Sequence, residues 1–367
     1  SHRELFAGRW EQITTITDAI HQAGLHVVVY GERGVGKTSL ANILRPLIHA
    51  FDNHGVPDGE ETNRLVVKVN SHHNDDFSSI WIRAFDEVRW ANEKPQFGFG
   101  RGSTSGSVSL REAFCLSDDI SIDDVRRSVT RLPGSVFVFD EFDRCSPNVS
   151  SSFTDLIKSL SDFSVDSTVI LVGVSDTVDD LVRDHASIVR ALVQVRMPRM
   201  QEDELKDILN KGETKLGITF AEPATTRIVR TSQGLPHYTH LLGLYSVRQA
   251  CNALRTTVEA EDVQVSFELV TKEAQQTIKA EFSTATHSSH QGALHNDVLL
   301  ACAMAAASVV GEDNMGYFQA AAIVDPLQQI LPARKVKVSL FNKHLAEFCD
   351  EKRGCVLERT GPPRGYR

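Results

Sequence analysis

Residues 31–39 read Gly-Glu-Arg-Gly-Val-Gly-Lys-Thr-Ser, which places three glycines, a lysine and two hydroxyls within one short stretch. Gly31, Gly34, Gly36, Lys37 and Thr38 fit G-x-x-x-x-G-K-[ST] without a mismatch. Glycine adopts backbone conformations closed to other residues and lets main-chain N–H groups approach a ligand closely. Successive N–H groups opening a helix form a nest for an anion, and the helix dipole favours negative charge there. Lys37 would reach the β- and γ-phosphates of a nucleoside triphosphate, and Thr38 would offer its hydroxyl to Mg²⁺. Val35 and Ser39 complete the run of expected contacts. An apolar, strand-like run at 27–30 precedes the motif and a helical pattern follows, the setting this motif requires. These residues predict ATP or ADP binding with Mg²⁺.

Hydrolysis needs more: acids to complete the metal shell and to polarise water. Residues 136–144 read Val-Phe-Val-Phe-Asp-Glu-Phe-Asp-Arg. Asp140 stands where the apolar run ends and suits the Mg²⁺ shell, while Glu141 beside it suits general-base work. Adjacent acids after a strand also occur in solvated loops. Downstream of a phosphate loop, the pair predicts turnover as well as binding.

Elements must hold these residues together. Near-continuous apolar or β-branched runs at 25–30, 65–70, 135–140, 168–174 and 191–197 read as strands buried on both faces of a parallel sheet. Helical patterns at 38–50, 76–92, 121–132 and 150–163 alternate with them, which predicts a three-layer α/β fold. From about Met200 the strands stop, and patterns at 201–216, 223–232, 236–255 and 260–282 predict a helical domain. Residues 283–292, Ser-Thr-Ala-Thr-His-Ser-Ser-His-Gln-Gly, read as a polar linker. Helices near 293–308, 317–330 and 338–351 precede a strand, a Gly-Pro-Pro turn and a returning strand, the pattern of a winged helix. The chain ends inside that hairpin, which predicts that the natural protein continues. The expected division is 1–199, 200–285 and 286–367. Residues 97–109 are the one low-complexity stretch and read as a mobile loop, with no strand before their glycines.

At this point the sequence resembles the AAA+ ATPases, within them the origin-recognition and initiator-like clade and the related STAND signalling ATPases. The likeness spans nearly the whole chain. Residues 5–20, Leu-Phe-Ala-Gly-Arg-Trp and onward, are similar to an entry motif in which Phe6, Gly8 and Arg9 begin a segment covering adenine. Residues 74–88 are similar to the helix after the clade's second strand. Residues 232–243 resemble the G-x-P motif that opens the third lid helix. The resemblance implies that Ser175, with Asp176 as the alternative, orients the lytic water as sensor 1. It implies an arginine finger acting on a neighbouring subunit at Arg190 or Arg183, and hence a homo-oligomer. Initiators carry an arginine soon after the lid glycine; here Gly234-Leu235-Pro236 is followed by His237 and Tyr238. That is closer to the STAND pattern, in which Pro236 and His237 would approach the phosphates.

Composition narrows the rest. No apolar run approaches the length of a membrane span, and no secretory signal is evident. The chain starts Ser-His without methionine, as an expression scar or a processed end would. Six scattered cysteines with no C-x-x-C pair read as reduced thiols of a cytoplasmic protein. Net charge is −9, yet from Leu331 onward nine Lys/Arg face four Asp/Glu, a balance of +5; the remainder holds 30 against 44, or −14. Only the tail has the sign that suits nucleic acid. There Ser339, Asn342 and Lys343 would lead a helix into duplex DNA, with Lys335, Lys337, Arg359, Arg364 and Arg367 on phosphates. Glu347, Asp350 and Glu351, expected on the same helix, oppose this, and such domains also dock proteins. The partner is therefore DNA or a protein effector. His287, His290 and His295 are spaced H-x2-H-x4-H but lack the cysteines common in structural zinc sites, and read as part of a linker.

Overall fold

The computed structural model describes residues 7–54, 64–93, 105–175, 178–181, 188–273, 275–288, 293–308, 317–360 and 365–366. The chain separates into two compact units, Ser1–Met197 and Pro198–Arg367.

In the first unit the elements run α1 (Trp10–Ile20), β1 (His26–Gly31), α2 (Lys37–Asp52), β2 (Val66–Asn70), α3 (Phe77–Asp86), β3 (Arg89–Glu93), β4 (Ser105–Ser109), α4 (Leu110–Ala113) and α5 (Ile122–Thr130). β5 (Ser135–Asp140), α6 (Pro147–Asp162), β6 (Ser167–Val174), α7 (Val178–Leu181) and β7 (Leu192–Arg196) follow. Five strands form one parallel sheet in the order β2-β5-β6-β1-β7. All six residues of β5 are buried, which is why the strand reads as an unbroken apolar run.

Alternation along β5 sorts its side chains between two faces. Phe137 and Phe139 pack with Trp81 and Phe85 of α3 and with Phe153 of α6, ring centroids lying 4.9–6.1 Å apart. Each such fully buried ring contributes roughly 1.5–3 kcal/mol. Asp140 falls on the opposite face, toward α2. The helices on the aromatic side have sequence-coded starts: Asp76 and Ser79 form a reciprocal cap on α3, and Ser121 and Asp124 form one on α5.

Two expectations here are corrected. The helix expected over 76–92 stops at Asp86, and Arg89–Glu93 turns into β3. Its antiparallel partner β4 occupies 105–109, inside the stretch expected to be a mobile loop. A strand does therefore precede those glycines, in a hairpin rather than a dinucleotide-binding unit. Residues 97–104 lie outside the described residues.

The second unit continues with α8 (Glu202–Leu216), β8 (Thr219–Phe220), α9 (Glu222–Ser232), α10 (Pro236–Asn252), β9 (Thr257–Val258), α11 (Ala260–Glu273) and α12 (Gln275–Thr286). Strands do not stop at Met200: β8 and β9 pair in parallel over two residues. Leu209, Ala224, Ile228, Leu242 and Val263 form one core of this unit. The expected linker is helical up to Thr286.

A second apolar cluster gathers α13 (His295–Ser308), α14 (Val324–Ile330) and α15 (Val338–Phe348) around Phe341, Leu345 and Phe348. β10 (Arg359–Thr360) pairs with β11 (Gly365–Tyr366) in antiparallel fashion, and Phe318 bridges to Tyr366. α15 ends at Phe348, so Asp350 and Glu351 lie beyond the helix once expected to carry them. No helix among the described residues is long and apolar enough to cross a membrane.

Candidate nucleotide site

The expected phosphate loop joins β1 to α2 at the carboxyl end of the sheet, where ligands of open α/β sheets bind. Gly34 and Gly36 have φ of +90° and +99°, a left-handed path that suits glycine. At Gly31 the constraint is space: a Cβ would lie 2.4 Å from Met197 O. Lys37 is buried, and its Nζ donates to Gly31 O at 2.8 Å and Glu32 O at 2.7 Å. The ammonium is thus held over the loop by main-chain oxygens. Arg9, 3% exposed, donates from Nη2 to Val35 O at 3.1 Å and braces the loop from the other side. Gly8 and Arg9 both adopt positive φ ahead of α1, while Phe6 lies outside the described residues.

Asp140 comes to the same place from β5. It is 2% exposed, and its Oδ1 accepts from Thr38 Oγ1 at 3.4 Å and from Glu141 N at 3.0 Å. Hydroxyl and carboxylate oxygens are the hard donors Mg²⁺ prefers, so this pair fits the ion. Glu141 is left-handed at φ 57°, and its carboxylate pairs with Arg144 at 3.1 Å. Asp143 Oδ1 accepts from Val174 N at 2.8 Å, which fastens the acidic turn to the end of β6. Ser175, buried, follows β6 and its backbone bridges to Gly31. The sheet therefore gathers the glycine loop, Lys37, Thr38, Ser39, Asp140, Glu141 and Ser175 at one end.

Several contacts there were not foreseen. Lys68 Nζ, from β2, lies 3.0 Å from Asp140 Oδ2 and donates to Asn42 Oδ1 at 2.7 Å. A lysine inside the run Leu-Val-Val-Lys-Val-Asn was the available signal, because a strand buried on both faces has little use for one. Arg83 binds Asp75 through both terminal nitrogens at 2.6 Å and donates to Asn70 O at 3.1 Å, steadying the turn after β2. Burial works against the Asp75 carboxylate, but Arg83 and the His72 amide hold its pKa below the usual range. Cys145, after the acidic turn, has its thiol pKa raised by burial.

Other expected residues stand apart. Arg190 is exposed in a 3-10 turn just before edge strand β7; Arg183 and Asp176 lie outside the described residues. Pro236, buried at the first position of α10, and exposed His237 belong to the second unit. Gly234 there has φ +78°, and a Cβ would meet Arg199 Cβ at 2.7 Å. Ser339, Asn342 and Lys343 are exposed on α15, and Lys335, Lys337 and Arg359 are exposed near it; Arg364 and Arg367 lie outside the described residues. His295 is buried and its Nε2 lies 2.8 Å from Glu347 Oε2, a partner the linker reading did not foresee. His287 is exposed and His290 lies outside the described residues. Among the described residues, no group of three or more His, Cys, Asp or Glu side chains could hold a metal ion.

A family model described as Novel STAND NTPase 1 matches residues 1–291. Among solved structures, the chain is similar to the Orc1 protein of Aeropyrum pernix in complex with DNA, at 15% identity and TM-score 0.50 over 98% of this chain and 87% of that one. It is also similar to a Walker-type ATPase of Pyrococcus abyssi, at 16% identity and TM-score 0.50 over 100% of this chain and 94% of that one. At these identities the likeness speaks for the fold. The comparison with curated proteins returned no match.

Proposed function

The chain belongs to the Novel STAND NTPase 1 family, and on that premise we propose that it binds ATP with Mg²⁺, hydrolyses it, and uses the nucleotide state as a switch on a partner. The carrying observation is the approach of Thr38 Oγ1 to Asp140 Oδ1, 3.4 Å apart across 102 residues of sequence. A hydroxyl from the phosphate-loop helix and a buried carboxylate from a neighbouring strand meet at the pole where a triphosphate's metal would sit.

Mg²⁺, when bound, would neutralise phosphate charge. The main-chain N–H groups of residues 34–38 would orient the phosphates, and Lys37 would exchange its loop carbonyls for phosphate oxygens. Thr38 and Asp140 would hold the metal shell. Glu141 would accept the proton of the attacking water, released from Arg144, with Ser175 orienting that water. Arg190 would complete a neighbour's site in a homo-oligomer.

The output on this reading is a protein effector; the lack of an arginine soon after Gly234 and the acidic main body support it. A second reading is duplex DNA. It is favoured by the exposed Ser339, Asn342 and Lys343 on α15, the neighbouring Lys335, Lys337 and Arg359, and the complex in which the similar Orc1 was solved. In this reading the C-terminal helices and hairpin act as a winged helix. The test is the ATPase rate measured alone, with duplex DNA, and across protein concentration. Stimulation by DNA selects the DNA reading; acceleration with concentration alone selects assembly without it; no turnover under any condition overturns the ATPase.

A further inference from the structure

Asp140 is 98% buried by the same measure that leaves 2% exposed, and a carboxylate so placed must be compensated. Its Oδ1 has two donors, Thr38 Oγ1 and Glu141 N. Among the described residues its Oδ2 has no aligned hydrogen bond and meets the charge of the Lys68 ammonium, 3.0 Å away. The attraction is strong in sign but not fixed in direction. Lys68 and Asp140 lie on the same sheet face, because Lys68 registers with Val138 and Asp140 is two residues further along β5.

We propose that Lys68 is the resident counter-cation of Asp140, and that a divalent ion gains this carboxylate by displacing the lysine. This rests on the reading of Asp140 as part of the metal shell. Two positive groups cannot share one buried carboxylate without strong mutual repulsion. Lys68 has a place to go: Asn42 Oδ1 on α2 already accepts from it at 2.7 Å, and its side chain is 23% exposed. Swinging toward Asn42 and solvent opens Oδ2 while leaving the Thr38 contact in place. The lysine thereby keeps the metal-free acid compensated and sets the metal concentration at which the site fills. In this role it is a positioning residue, acting through Asp140.

The probe is Mn²⁺ alone, followed by its electron paramagnetic resonance signal and by the melting temperature of nucleotide-free protein. K68M should bind Mn²⁺ about tenfold more tightly than wild type, the scale of one partly buried charge pair. It should also melt lower without metal and regain more on adding it. K68R should behave as wild type, and D140N should lose the Mn²⁺ response. Should K68M fail to fold, K68Q keeps a hydrogen-bond donor for the buried oxygen and carries the same expectation. Unchanged or weaker Mn²⁺ binding in the neutral variants overturns the proposal. The ATP-binding reading fails separately, if wild type takes up no ATP while the Mn²⁺ responses hold.

Discussion

Arg9 Nη2 donates to Val35 O at 3.1 Å, tying the turn before the first helix to the middle of the phosphate loop. The guanidinium is almost fully buried and sits on a left-handed residue, φ 66°. Arg9→Ala should cost about 1–3 kcal/mol of stability by leaving a buried carbonyl unmatched. ATP affinity should fall about tenfold as the loop loosens. Lysine should not rescue it, since the planar fork is lost. Thermal melting and calorimetry read both effects; normal ATP affinity in the alanine variant would refute the bracing role.

Lys37→Ala removes the cation held at 2.8 and 2.7 Å over the loop. Tight ATP binding should disappear in calorimetry. Glu141→Gln should bind ATP normally while turnover drops by roughly 10²–10⁴-fold, the usual size of a general-base effect. Normal turnover in that variant would leave Glu141 as no more than a partner for Arg144.

Arg190 is exposed ahead of the edge strand β7, where a neighbour could be reached. Arg190→Ala should keep ATP affinity, because residues 31–38 belong to the same subunit. If Arg190 acts on a neighbour's site, turnover should fall about 10³-fold, the size of an arginine-finger effect. Mixing it with Glu141→Gln should restore partial activity at mixed interfaces. A dead mixture, together with turnover per subunit that is flat from nanomolar to micromolar, would make the protein a monomeric switch.

His26 opens β1 fully buried, its Nδ1 accepting from Val169 N at 3.1 Å, and burial lowers its pKa from 6.5 to about 3. Since the folded value is the depressed one, the contribution to stability is present above pH 6.5 and is lost as pH falls toward 3. Between pH 7 and 5 the loss should approach about 2 kcal/mol. His26→Gln keeps an acceptor for the Val169 amide and should flatten that slope in urea titrations. Equal slopes in the two proteins would place the acid sensitivity elsewhere.

The parallel sheet was legible because its central strands β1, β5 and β6 are buried nearly throughout and announce themselves without reference to any other segment. The glycine loop and Asp140–Glu141 were legible because phosphate and metal chemistry restrict spacing locally. β3 was not, since residues 89–92 continue a helical pattern and become a strand only through pairing with 105–109, a non-local event. Lys68 was missed for a similar reason: its partner is chosen by register between β2 and β5, which no single segment encodes. The end of α15 was overrun because Cys349 still packs on the apolar cluster and Asp350 and Glu351 are as polar as the helix's exposed face.

Met197 closes the first unit, and the chain enters the second at Pro198. Met197 N donates to Tyr30 O at 2.7 Å, one residue before the loop begins, and Met197 O leaves no room for a Cβ on residue 31. The exit from the nucleotide-binding unit is therefore spliced to the root of the phosphate loop through main-chain atoms. Substituting the side chains at 30 or 197 leaves that splice in place; a single methyl group at 31 would prise it open.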